Sequence, residues 1–303
     1  MLIPLLIVGG MFFAIGALVY PAAADNLIET FPAGPYPCGM AFDGANIWVA
    51  NLSAGSVTKL RASDGVILDT VPLGSGSQWI TFDGENIWVS DHIENVVIKI
   101  RASDDTVLAT FPVGNAPEKL VFDGANIWVA NSASDTVTKL RASDGKRLQD
   151  VPVGDQPWGI AFDGTNIWVT NTISYTVTKF RARDGAPRGT FNVGAFPADI
   201  AFDGSKMWVA NSSDNSVNIL RAADGSPLTE FTTVAYPTTF AFDGTQMWLA
   251  HEASAVTRHR DRDGVALQKF RIPGDPAGAL FDGASVWVSS FSNNTVSKIT
   301  HRP

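Results

Sequence analysis

FDGANIWVAN, residues Phe42 to Asn51, is one of seven near-copies of a single phrase. It returns as FDGENIWVSD from Phe82, FDGANIWVAN from Phe122 and FDGTNIWVTN from Phe162. The later copies are FDGSKMWVAN from Phe202, FDGTQMWLAH from Phe242 and FDGASVWVSS from Phe281. The step is 40 residues, with 39 for the last. Such a period marks small supersecondary units that bury a core only by stacking on one another.

The text around the phrase sets the unit. From Pro117 one repeat reads PEKLVFDG, NIWVAN, TVTKLRASDG and KRLQDVPVG. Each piece is a short run rich in Val, Ile, Leu, Thr and aromatics, bounded by Gly, Asp, Asn or Pro, which is a strand signal. The Asp-Gly of FDG suits a tight hairpin turn, because Gly tolerates positive φ; the Asp64-Gly65 of RASDG does the same one hairpin later. No stretch carries helical apolar spacing. The spacing therefore predicts an all-β chain, a seven-bladed propeller of four-stranded antiparallel blades. The ends support a closed ring. LIETFPAG, Leu27 to Gly34, matches a fourth strand such as VLATFPVG, Val107 to Gly114, while the C-terminus stops after a third strand, TVSKI. The N-terminal strand is expected to complete the last blade and leave no free inner edge.

Composition narrows the function classes. The 303 residues are 45% apolar, with a net charge of −8. An acidic chain without basic runs fits neither nucleic-acid binding nor a polybasic membrane contact. The single cysteine, Cys38, excludes an intramolecular disulfide and a thiolate metal cluster, and reads as a buried apolar residue. Residues 1–24 are uncharged and apolar and end in Ala22-Ala23-Ala24. They read as a secretory signal peptide, or as an uncleaved N-terminal anchor, preceding a propeller domain at 25–303. Either places the repeats outside the cytoplasm: secreted, periplasmic or on the cell surface.

Most of the repeated residues read as scaffold. The Trp of each second strand, from Trp48 to Trp287, recurs once per blade. Burying one such ring removes ~200 Å² from water, worth at most roughly 5 kcal/mol. The seven FDG aspartates read as turn residues, since no repeat offers the oxygen density of a calcium loop. The Asn that ends most second strands reads as a cap on the following loop.

The phrases IWVAN or IWVTN, TVTKLRASDG and VPVGDQPWGIAFDG resemble the YVTN-type β-propeller repeat family, over residues 26 to 300. Trp stands here where that family's name motif has Tyr. The resemblance implies the propeller fold and an exported or surface-associated bacterial or archaeal protein, and is specific for architecture rather than activity. NHL-type propellers, streptogramin lyases and quinoprotein dehydrogenases are more distantly similar. A quinone site would need vicinal cysteines, which a chain with one Cys lacks. Neither a nucleophile elbow nor a phosphate-binding glycine loop is present.

Function is therefore sought where the repeats disagree. Three residues before each FDG phenylalanine the chain reads Gly39, Trp79, Lys119, Gly159, Asp199, Thr239 and Gly278. One residue earlier it reads Cys38, Gln78, Glu118, Trp158, Ala198, Thr238 and Ala277. These positions are expected at a solvent-facing channel mouth, where Trp79 and Trp158 are the two Trp residues outside the core ladder. Blade 6 replaces the terminal Asn with His251-Glu252, and blade 2 carries Asp91-His92 followed by Glu94. Nearly opposite in the ring, the two clusters are expected to face each other. His259 is expected on a third strand near the rim. The candidate ligand-binding residues are Trp79, Glu118, Lys119, Trp158, Asp199, His251 and Glu252.

The favoured expectation is a noncatalytic binding scaffold, a monomer that recognises a small molecule, peptide or envelope protein and needs no cofactor. An alternative from the resemblance is a metal-assisted lyase or hydrolase like the streptogramin lyases, with His251 and Glu252 as catalytic residues and a divalent ion such as Mg²⁺. A surface structural or adhesion module is a third.

Overall fold

Short runs rich in β-branched and aromatic residues give each repeat its strands, and the first three strands of blade 1 are buried on both faces. The computed structural model describes residues 27–300. The expectation of a signal peptide or anchor at residues 1–24 falls outside the described residues, as do the outermost residues of the expected 25–303 domain. In blade 1 the strands are Pro37–Phe42, Asn46–Asn51, Ser56–Arg61 and Ile67–Pro72, paired in chain order as an antiparallel meander. Six blades have this form. The seventh takes Pro276–Phe281, Ser285–Ser290 and Thr295–Thr300, and its fourth strand is Leu27–Pro32. That strand pairs in unbroken antiparallel register with Thr295–Thr300. The seven-bladed propeller and its closure by the N-terminal strand are thus as the repeats predict.

The seven Trp rings of the second strands are fully buried, each in the space between neighbouring blades. Three devices that the periodic text did not disclose hold them there. First, the FDG aspartate is more than a turn residue. In blade 1, Asp43 Oδ1 accepts hydrogen bonds from the Ala45 and Asn46 amides, while Oδ2 accepts one from Trp48 Nε1 at 2.8 Å. Every blade repeats the indole bond, at 2.6–2.8 Å. Burial opposes the charge on Asp43, yet the hydrogen bonds from Asn46 and Trp48 prevail and hold its pKa below the usual carboxylate value.

Second, the third-strand lysine staples blades together. Lys59 Nζ lies 4.6 Å from the Trp48 ring centroid and donates to Ala102 O of the next blade at 2.9 Å. Lys99, Lys139 and Lys179 repeat both contacts. Lys298 reaches Ala62 O at 2.7 Å and so fastens blade 7 to blade 1. Blade 5 has Ile219 at this place, and Lys206 of its second strand substitutes. Its Nζ sits over Trp208 and donates to Asp261 O, the carbonyl equivalent to Ala102 O. A cation held over an aromatic face in a partly dry setting is worth roughly 0.5–2 kcal/mol, in addition to its hydrogen bond.

Third, the terminal Asn is a strand cross-link rather than a loop cap. Asn131 is fully buried, and its Nδ2 donates to Thr136 Oγ1 at 3.2 Å and Thr138 Oγ1 at 2.9 Å on the third strand. The glycine of the Val-Gly connector lies against this amide: a Cβ at Gly154 would come within 2.7 Å of Asn171 Cγ. Asn and Gly are therefore one packing unit, 17 residues apart in sequence. The FDG phenylalanines are half-buried supports at the edge of the core, not interior residues like the Trp ladder.

The ring has two different ends. At one, FDG turns sit beside RASDG turns, as Ala62 N bonded to Ala45 O shows. Exposed i,i+3 pairs such as Arg61–Asp64 line it and, open to solvent screening, contribute little to stability. At the other, connectors between blades sit beside the loops joining second and third strands, as Leu52 N bonded to Tyr36 O shows.

Candidate functional site

The connector end holds a cavity of about 550 Å³ over the central channel. Its aromatic wall comes from Trp79, Trp158, Phe196, Tyr236 and Phe291. Small or polar side chains, among them Cys38, Gln78, Ser212 and Thr238, fill in between. The charged residues of the lining are Glu252 and Asp275. The volume and the mainly apolar wall with a few polar groups suit a small-molecule pocket.

Each aromatic is delivered by a repeat position that elsewhere carries something else. Trp158 stands four residues before its FDG phenylalanine, where other blades have Cys38, Ala198 or Thr238. Phe196 and Tyr236 precede the first-strand proline, a place with φ near +54°. Positive φ recurs at Tyr36, Gly76, Ala116 and Gln156, while in blade 7 it falls on Gly274 instead of Asp275. Bulky L-residues pay about 1–2 kcal/mol there that glycine avoids. Phe196 and Tyr236 line the cavity from that position, whereas Tyr36 packs on Phe291 at 4.7 Å between ring centroids.

Below the cavity an ion pair crosses the channel beside a smaller cavity of about 190 Å³. Lys119 Nζ of blade 3 lies 2.8 Å from Asp199 Oδ1 of blade 5 and 4.3 Å from the Trp79 ring centroid of blade 2. Asp199 Oδ2 accepts from Thr239 Oγ1 and the Phe240 amide, both at 3.0 Å. Lys119 and Asp199 are 8% and 6% exposed, so they are enclosed by the ring and not displayed at a solvent-facing mouth. Three glycines make this possible. A Cβ at Gly39 would come within 2.8 Å of Trp79 Cα, and one at Gly159 within 2.9 Å of Asp199 Cα. At Gly278 it would overlap the Cys38 carbonyl. The three glycines thus let the backbones of adjacent inner strands approach closely at the axis.

Glu118 is also enclosed. Its Oε1 accepts from Ser132 Oγ at 3.2 Å and lies 3.0 Å from His92 Nδ1. Burial pushes the Glu118 carboxyl above its usual value, against the opposing pull of His92 and Ser132. Burial likewise pushes the Cys38 thiol up to about 12, which leaves it unreactive. Trp79 and Trp158 are half-buried wall residues rather than exposed rings.

The expected face-to-face histidine clusters do not form. His92 meets Glu118 of the neighbouring blade. His251 is fully buried and turned into blade 6, with Nε2 2.7 Å from Thr257 Oγ1. Thr257 Oγ1 lies 2.7 Å from His259 Nε2, whose Nδ1 donates to Gly264 O at 3.0 Å. Burial, then the neighbouring His259, lowers the His251 pKa to about 3. Such an imidazole stays neutral at physiological pH. His259 lies in the core against Phe231, at 5.3 Å between ring centroids, not near the rim. Among the sequence candidates, the structure brings Trp79, Trp158 and Glu252 to one cavity. Lys119, Asp199 and Glu118 lie beneath or beside it, and His251 is apart. Phe196, Tyr236, Asp275 and Phe291 were missed; reading the residue before each first-strand proline would have found the first three.

No protein-family model matches the chain, and no curated protein matches it by sequence. Solved structures do. A streptogramin B lyase is 18% identical with a TM-score of 0.78, over 91% of this chain and 97% of that one. U3-55K is 14% identical with a TM-score of 0.83, over 90% and 98%. The hydrazine synthase of Kuenenia stuttgartiensis is 16% identical with a TM-score of 0.78, over 95% and 99%. At these identities the likeness is one of fold: the chain shares the β-propeller with these proteins.

Proposed function

We propose that this chain is an exported β-propeller of the YVTN type that binds a small molecule at its connector end. One observation carries the reading. The same repeat that gives a uniform turn end gives, at the other end, a cavity with five aromatic side chains and two carboxylates, all at repeat positions where other blades differ. Large aromatics gathered in a concave wall are expensive to leave facing water unless a ligand covers them. The Lys119–Asp199 pair beneath gives the cavity a polar floor. A binding role asks no chemistry of His251, which its burial withholds.

A ligand-observed NMR screen of neutral, cationic and anionic small aromatics against the full chain tests the reading. Hits that disappear in Trp158→Ala support it. A screen with no Trp158-dependent hit refutes it. The export part rests on residues 1–24 and is tested separately: N-terminal sequencing of the protein from its own envelope reads Asp25 if the leader is cleaved after Ala24. An intact cytoplasmic N-terminus refutes export.

A further inference from the structure

The two carboxylates of the cavity stand together. Glu252 follows the second strand of blade 6, where other blades carry Leu52, His92, Ser132, Thr172, Ser212 and Phe291. Asp275 precedes the first-strand proline of blade 7, where other blades carry Tyr, Gly, Ala, Gln or Phe. Each acidic residue therefore occurs once in seven blades at its position, and both fall on the same arc of the mouth.

The arc is also where the ring is shortest. The final 39-residue step comes from the blade 6 loop: His251 pairs with Ala255, leaving residues 252–254, whereas Asn51 pairs with Ser56, leaving 52–55. One residue has been removed from the loop that carries Glu252.

Several carboxylates enclosed between blades or across the axis are paired with a cation. Asp199 has Lys119, Asp105 has Lys59 and Asp261 has Lys206. Among the described residues neither Glu252 nor Asp275 has a side-chain ion pair or hydrogen bond, and no Lys, Arg or His lines the cavity. Burial, then the charge of Asp275, raises the Glu252 carboxyl above its usual value. Two like charges on a partly dry wall repel each other, and a bound cation would relieve both. The facing aromatic rings offer the negative π-faces that an ammonium group prefers.

We propose that the cavity takes a small organic cation, an ammonium head on an apolar body, with Glu252 and Asp275 as counter-charge and Trp158 and Tyr236 as aromatic walls. The proposal deepens the binding reading above and rests on it. An anionic ligand is disfavoured by the same two carboxylates. A hydrophobic neutral ligand would leave them unrelieved.

Three probes of one shape separate the outcomes: (para-hydroxyphenyl)trimethylammonium, its uncharged isostere para-tert-butylphenol, and para-hydroxybenzenesulfonate. Binding to the full chain is measured by ligand-observed NMR and calorimetry. The trimethylammonium probe is expected to bind at least about tenfold more tightly than the tert-butyl isostere. The pair of substitutions Glu252→Gln and Asp275→Asn should remove that preference, and Trp158→Ala should weaken the cation at least about fivefold. Circular dichroism and melting curves verify that each variant is folded.

Trp158-dependent binding of the isostere or the sulfonate, equal to or tighter than the cation, overturns the cation class and leaves the ligand cavity standing. Cation binding that ignores both carboxylate substitutions overturns the assigned counter-charge. If no probe of any charge gives a Trp158-dependent signal, the cavity reading falls with it.

Discussion

The two ends of this propeller are built from the same repeat and treat variation in opposite ways. At the FDG end every blade spends its aspartate in the same fashion, on two turn amides and an indole N–H. At the connector end, equivalent positions hold glycine, tryptophan, lysine, aspartate or threonine. The contrast is one of packing geometry. Each FDG turn is satisfied within its own blade, so one solution serves seven times. Where inner strands converge on a narrow axis, seven identical side chains would either clash or leave a void. The ring solves this with glycines in blades 1, 4 and 7 and an ion pair between blades 3 and 5. Once symmetry is broken, the residues above the axis are free to build one asymmetric cavity.

The first way to break the contrast is to remove the floor. Lys119→Ala leaves Asp199 buried without its cation, which should destabilise the protein by about 3–5 kcal/mol in urea unfolding. Replacing both partners, Lys119→Met with Asp199→Asn, should recover most of the loss, because a neutral residue at 199 can still accept from Thr239 and Phe240. A loss under about 1 kcal/mol for Lys119→Ala would mean a wet channel rather than a packed one.

The second concerns pH, and the odd residue at the end of the blade 6 second strand. His251 has a pKa of about 3 when folded against a reference value of 6.5. Between those values the unfolded chain binds the extra proton, so stability falls as pH drops below 6.5 and continues to fall until about 3. The expected loss is about 3 kcal/mol from this residue by pH 4.5, and His259, lowered in the same direction, adds to it. His251→Asn restores the residue of the other blades, with Thr257 waiting as Thr138 waits for Asn131. Its urea midpoint should be flatter with pH than that of the parent. Carboxylates titrate in both proteins, so the difference between them is the readout. Identical pH profiles would show that His251 is not held neutral.

The third probes the uniform end. Asp123→Ala removes the acceptor of the Trp128 indole and of two turn amides, at a cost of about 2–3 kcal/mol. Amide exchange should rise first in blade 3, while ligand binding at the far end stays unchanged. Binding lost together with blade 3 protection would show that the two ends are coupled.

How much of this was legible follows from where each partner lies in the chain. The Trp ladder and ring closure were legible because they need only the period and the complementary ends, Leu27 to Gly34 and TVSKI. The staple from Lys59 to Ala102 O was not, because its partner is a carbonyl 43 residues away and carries no side-chain signature. Lys206 shows the cost of that silence: it reads as drift in FDGSKMW until Ile219 is seen to lack the amine it replaces. In the cavity, Trp79, Trp158 and Glu252 stood out as breaks in the repeat. Lys119 and Asp199 stood out equally, yet their charges meet each other across the axis, a pairing of blades 3 and 5 that sequence order hides. Tyr236 and Phe196 were overlooked because the connector tolerates many residues, and only the shared positive φ shows that the backbone there wants a glycine.

That last point gives the smallest expected effect on stability and the sharpest division between the ends. Tyr236 is 53% exposed with φ at +54°, so its side chain adds little burial while its backbone is strained. Tyr236→Gly relieves about 1–2 kcal/mol of left-handed strain and gives back roughly 0.5–1 kcal/mol in unfolded-state entropy. The melting temperature should therefore stay level or rise slightly. Gly76 already holds the equivalent place in blade 2, so the connector accepts the change. Binding of the trimethylammonium probe should nonetheless weaken severalfold, because one aromatic wall is gone. Unchanged stability with lost binding is the behaviour of a residue kept for a ligand. A marked fall in stability would instead make Tyr236 part of the scaffold, and the aromatic wall a by-product of packing.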